Sequence, residues 1–222
     1  MNAVLGMLAA LLLLSATPAP AQSLDDAAVD AAVKAGRSGT FSQLVFRCSV
    51  SPGLFRSWPI AGPLGSFSVV ASRAAGRIAS TAANAKKLEK PFSASDVTPE
   101  MRDDSILFVS VTPDWPWEYW DSVIYPSQIR HVVLKSKRQP DAVVQPVTSN
   151  SQPVEFSGLE HRFGRWFHEH FNSMCVTFPL EAVRSMPAGE IEVVVITQAE
   201  RYRGREEIRC EMSTGDRSRI LK

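Results

Sequence analysis

The chain has 222 residues, 45% hydrophobic and 21% charged, the composition of an ordinary globular protein rather than a disordered one. Its 24 basic and 23 acidic side chains leave a formal net charge of +1, which argues against bulk nucleic-acid binding, a property of strongly basic domains. The three cysteines include no C-x-x-C pair, so neither a zinc ribbon nor thioredoxin-like chemistry has support.

Residues 1–21, MNAVLGMLAALLLLSATPAPA, hold an apolar run from Val4 to Leu14, followed by small residues and Ala19-Pro20-Ala21. A short apolar core before an A-x-A site predicts a secretory signal peptide, although no Lys or Arg precedes the core. The run is well short of the roughly 20 apolar residues that a bilayer helix needs. Cleavage after Ala21 leaves a mature chain beginning at Gln22, destined for the periplasm or the medium. No second long apolar run follows, so no membrane span is expected after cleavage. The first cysteine is Cys48, which gives no support to a lipid anchor on an N-terminal Cys.

Ser23 with Asp26 three residues on resembles a capping box, with Asp25 and Asp26 in the first turn of an Ala-rich helix that runs to about Ala35. Gly36 is the expected stop. Residues 43–50 alternate, with Leu44, Phe46, Cys48 and Val50 on one face, and predict a half-buried strand. A Pro- and Gly-rich loop separates it from a second strand over 66–72. Ala74, Ile78, Ala82, Ala85 and Leu88 then recur at helical spacing, with Pro91 ending the helix after Lys86, Lys87 and Lys90.

Six strand candidates follow, at 105–111, 128–135, 142–148, 173–178, 190–197 and 205–212, short and mostly rich in Val and Ile. Pro146 moves its strand toward an edge. The stretch 179–186 has room for one or two helical turns. Strands at this density, without long helices between them, predict an antiparallel sandwich. The expected fold is α+β and mostly β: an immunoglobulin-like β-sandwich over 104–222 and a helix-containing α/β portion over 22–98, with 91–104 as the junction. A single α+β unit, in which the early strands complete the later sheet, is the alternative.

Three constellations carry chemistry. His161, His168 and His170 lie in HRFGRWFHEHF; on an extended chain His168 and His170 share a side and would reach one metal ion, with His161 or a carboxylate as a third ligand. The plainer alternative is an edge strand with its aromatics inward and its His and Glu in water. Trp115, Trp117, Tyr119 and Trp120 lie in PDWPWEYWD, a loop able to stack on a sugar ring or anchor a protein, or to fold back as a lid on the core. Arg201, Arg203 and Arg205 share a face on an extended chain and would receive a phosphate or carboxylate. With Arg217, Arg219 and Lys222 beyond, however, they are interleaved with Glu200, Glu206, Glu207, Glu211 and Asp216, which favours a charge-paired hairpin.

Cys48, Cys175 and Cys210 sit in strand-like stretches, where they form one disulfide and one free thiol in some pairing, or remain three buried thiols. No G-x-S-x-G, Walker loop or G-x-G-x-x-G occurs, and no cofactor is implied. The expectation is a non-enzymatic, exported binding or interaction module of the cell envelope. Its partner would be another envelope protein or, through the 115–120 aromatics, a surface glycan. A metal-binding protein or metal-dependent hydrolase built on the His cluster is the competing expectation.

Overall fold

The computed structural model describes residues 22–50, 66–114, 127–153, 172–199 and 205–222. Among these, strand outweighs helix, and two antiparallel sheets pack on one core. In chain order the elements are α1 (Asp26–Ser38), β1 (Val45–Val50), β2 (Ser66–Ser72), α2 (Ala74–Lys87), α3 (Pro99–Arg102), β3 (Ile106–Asp114), β4 (Ser127–Ser136), β5 (Val143–Val144), β6 (Thr148–Pro153), β7 (Asn172–Pro179), α4 (Leu180–Arg184), β8 (Ile191–Ala199), β9 (Arg205–Met212) and α5 (Thr214–Leu221). Short 3-10 turns cover Ser42–Leu44 and Ala94–Asp96.

The first sheet has the order β1-β2-β3-β7-β6 and the second β5-β4-β8-β9. Period-two alternation builds the core. Phe67, Val69 and Ala71 of β2, Leu107, Val109 and Val111 of β3, and Met174, Val176 and Phe178 of β7 are buried. They meet Val132 and Leu134 of β4, Val193 and Val195 of β8, and Ile208 and Met212 of β9. Val133, Val194 and Ile196 form a separate buried cluster, so β4 and β8 bury apolar side chains on both faces. That explains the unbroken runs His131-Val132-Val133-Leu134 and Val193-Val194-Val195-Ile196. β2 lies before the 91–104 stretch and β3 after it, and the two pair from Ser66↔Asp114 to Ser72↔Phe108.

Cys48 of β1 is bonded to Cys210 of β9, with their Cα atoms 6.4 Å apart, while Cys175 is free. β1 and β9 are edge strands of different sheets, so the bridge ties the two sheets along one side.

α1 and α2 form a second core from Val29, Ala32, Val33, Ile78, Ala82 and Val97. The cap of α1 is Asp25, not Ser23: its carboxylate accepts from Ala28 N at 2.7 Å, whereas Ser23 bridges to Asp103. Gly36 does not stop the helix. It is buried inside α1, where a Cβ would lie 2.2 Å from Ala79 O, so its missing side chain lets α2 approach. Gly39, at φ 79°, ends the helix instead. The 142–148 strand is also corrected: it divides around Pro146, which cannot donate to a ladder, into β5 of one sheet and β6 of the other. The Arg73 guanidinium meets Asp104 through two bonds and holds the start of α2 against the entry to β3.

Candidate functional site

The strand registers gather four strand-to-strand connections at one end of the molecule. In the first sheet Val50 pairs with Phe67, Ser66 with Asp114, Val111 with Met174, and Asn172 with Pro153. The ends flanking 51–65, 115–126 and 154–171 therefore share one end of that sheet. In the second sheet Ser127 pairs with Ala199 and Gln198 with Arg205, so the ends flanking 115–126 and 200–204 coincide. The described helices connect at the opposite end, where β2, β7 and β9 run directly into α2, α4 and α5.

Asn172 locks the two sheets together at the loop-bearing end. Its Oδ1 accepts from Ile129 N at 2.7 Å, and its Nδ2 donates to Ile129 O at 2.9 Å and Ser151 Oγ at 2.7 Å. One side chain thus imitates a strand neighbour for β4 while fixing β7 against β6. Ile129 is open to it because the β4–β8 register shifts between Ile129 and His131. On the facing strand Thr197, paired with Ile129, is fully buried, and its hydroxyl finds no hydrogen-bond partner among the described residues.

Trp115, Trp117, Tyr119 and Trp120 lie between β3 and β4, and His161, His168 and His170 lie between β6 and β7. Both groups are outside the described residues, as are Arg201 and Arg203. Asn172, the β7 stem of the second segment, bonds Ile129 on the β4 stem of the first and Ser151 on β6. The remaining histidine, His131, stands on β4 with its ring Nε2 2.9 Å from Gln145 Oε1. Among the described residues, no group of three or more His, Cys, Asp or Glu converges, and no helix is long and apolar enough to cross a membrane. Nothing in the sequence marked Asn172: a polar residue beside HEHF reads as loop.

Elsewhere several described charges are paired. Lys137 bridges Glu211 at 2.6 Å and Glu190 at 3.0 Å, and those hydrogen bonds push its ammonium above the ordinary lysine range. Burial opposes ionisation of Glu207, but Lys135 and Arg209 hold its carboxyl below the usual range. The Arg217 guanidinium, its pKa lowered by burial, donates to the carbonyls of Pro187, Gly189, Val183 and Met186 and pins α5 to the turn after α4. No family model, curated protein or solved structure matches the chain.

Proposed function

We propose that the chain is an exported, non-enzymatic binding module of the cell envelope, and that its ligand meets the loop-bearing end of the sheets. The observation that carries this reading is the gathering of strand ends. All five tryptophans, all three tyrosines and three of the four histidines fall in the four intervals strung from that end. Large aromatics concentrated on connections between rigid strands are the material of binding surfaces. An immunoglobulin-like sandwich is the finer architecture. The order β2-β3-β7-β6 over β9-β8-β4-β5 follows A-B-E-D over G-F-C with one added strand, and β1 is an extra edge. The disulfide departs from the antibody pattern, since it joins the edges β1 and β9 rather than strands B and F. Fold alone assigns no ligand.

A disulfide persists in an oxidising compartment, which supports the periplasm or the medium together with the 1–21 signal. An intact mass beginning at Gln22 tests export. Trp115→Ala, Trp117→Ala and Trp120→Ala combined should leave the unfolding midpoint in place while abolishing capture of an envelope protein. Loss of folding in that variant would make the 115–120 aromatics core and refute the site. If the ligand is a glycan, tryptophan fluorescence shifts during titration with envelope polysaccharide, and no shift removes that ligand class.

A further inference from the structure

We propose that the adjacent C-terminal ends of α1 and α2 form a docking surface for an anionic phospholipid bilayer, in which Arg37, Lys86, Lys87 and Lys90 meet the headgroups and Leu88 enters the interface. A cleft of about 300 Å³ opens there, with Ala82 and Phe92 as apolar lining and Arg37, Lys86 and Lys90 as cationic lining. Lys87 and Leu88 belong to the same final turn, and Leu88 is 57% exposed, one of three exposed large apolar side chains among the described residues. Glu89 is the one carboxylate lining the cleft. It adopts φ 53°, and the chain returns so that Lys90 N donates to Ala85 O at 2.9 Å.

Cations at a helix C-terminus commonly serve its orphan carbonyls. Here Lys86 does so for Arg37 O of α1, while backbone N–H groups occupy other carbonyls of the two helix ends. Leu88 N serves Asn84 O and Ala85 O, Glu89 N serves Lys86 O, Gly39 N serves Gly36 O, and Thr40 N serves Ala35 O. Lys86 Nζ satisfies Arg37 O at 2.8 Å, and Arg37 satisfies Phe92 O at 2.7 Å. Among the described residues neither is paired with a carboxylate, and Lys87 and Lys90 make no side-chain hydrogen bond or ion pair. Four cations against one carboxylate give this end a local excess of three positive charges, in a chain whose total is +1. An acidic protein would satisfy the charges but gives no role to an exposed leucine among lysines. A bilayer with anionic headgroups satisfies both, since each basic side chain at such a surface contributes about 1 kcal/mol, or about fivefold in affinity, and an apolar side chain adds burial.

The test is flotation of the full chain with phosphatidylglycerol vesicles and with phosphatidylcholine vesicles. Wild type should float with the first only, and binding should fall steeply between about 50 and about 300 mM salt. Lys87→Glu with Lys90→Glu should weaken binding at least about tenfold, and Leu88→Ser should weaken it severalfold with the salt dependence unchanged. Circular dichroism should match wild type in both, because none of these side chains holds another element. Equal binding to both vesicle types, absence of binding to phosphatidylglycerol at low salt, or retention on polyglutamate that Leu88→Ser leaves unaltered would each overturn the proposal. The wild-type results decide it even where a variant misfolds.

Discussion

Removing the Cys48–Cys210 bridge should cost this protein a large share of its stability. The bonded residues are 162 apart in sequence, so the bridge closes most of the described chain into one loop. For a loop of that length the entropy withheld from the unfolded chain amounts to about 5 kcal/mol at room temperature. Engineered and native bridges commonly deliver less, which puts the expected loss at about 3–5 kcal/mol. Domains of this size are stable by about 5–15 kcal/mol, so the loss is about a fifth of the total or more. The assay is urea unfolding of wild type against Cys48→Ala/Cys210→Ala, followed by tryptophan fluorescence. With a slope of about 2 kcal/mol/M, the midpoint should fall by about 2 M, and the slope should rise because the freed chain exposes more surface. Cys210 is buried and its Sγ contributes some packing, so wild type in reductant is the second arm. Agreement between the two arms assigns the loss to the link. A midpoint within about 0.5 M of wild type in both arms, at the same slope, would refute the argument from loop closure.

Four further outcomes follow from named contacts. Asn172→Ala leaves the Ile129 backbone without its partner and should cost about 2 kcal/mol in the same assay; an unchanged midpoint would mean the two sheets are held at that end by other contacts. Gly36→Ala should destabilise by about 1–3 kcal/mol despite alanine's better helix propensity, because its Cβ would fall 2.2 Å from Ala79 O and 2.8 Å from Ala82 Cβ. Thermal unfolding reads the sign directly. Thr197→Val should be neutral or stabilising by up to about 1 kcal/mol, since it removes a buried hydroxyl that has no partner among the described residues; marked destabilisation would show the hydroxyl to be engaged. Asp216 accepts from Ser213 and is paired with Arg219, which together hold its carboxyl below the usual range. Its contribution is therefore full above the ordinary aspartate value of about 3.9 and is lost as pH falls through the lower folded value. Asp216→Asn should flatten the stability profile only in that acid range.

The apolar framework was legible in the sequence because it rests on local periodicity. Strands 66–72 and 205–212 have the boundaries read from the sequence, and the helix begun at Ala74 follows from its three-and-four spacing. What escaped depends on contacts between distant segments. β6, Thr148–Pro153, is exposed along its length and carries no apolar pattern, so only its pairing with β7 reveals it. Gly36 looks like a helix stop until Ala79 is placed beside it. The cysteine pairing was equally closed to sequence, since three partners sit in three similar strands. Of the candidate site, the aromatic and histidine residues were readable as composition. Their common end was not, because it follows from six strand registers and one asparagine side chain.

The position of the free thiol sets a condition on how the protein matures. A chain delivered from its N-terminus presents Cys48 first, then Cys175, and Cys210 only 35 residues later. Oxidation in order of appearance would join the wrong pair. Native pairing therefore depends on bond closure after the last strand has docked, or on an isomerase that repairs an early mistake. The Cys48–Cys210 bond then serves as a record that the final edge of the second sheet was in place before the chain was sealed.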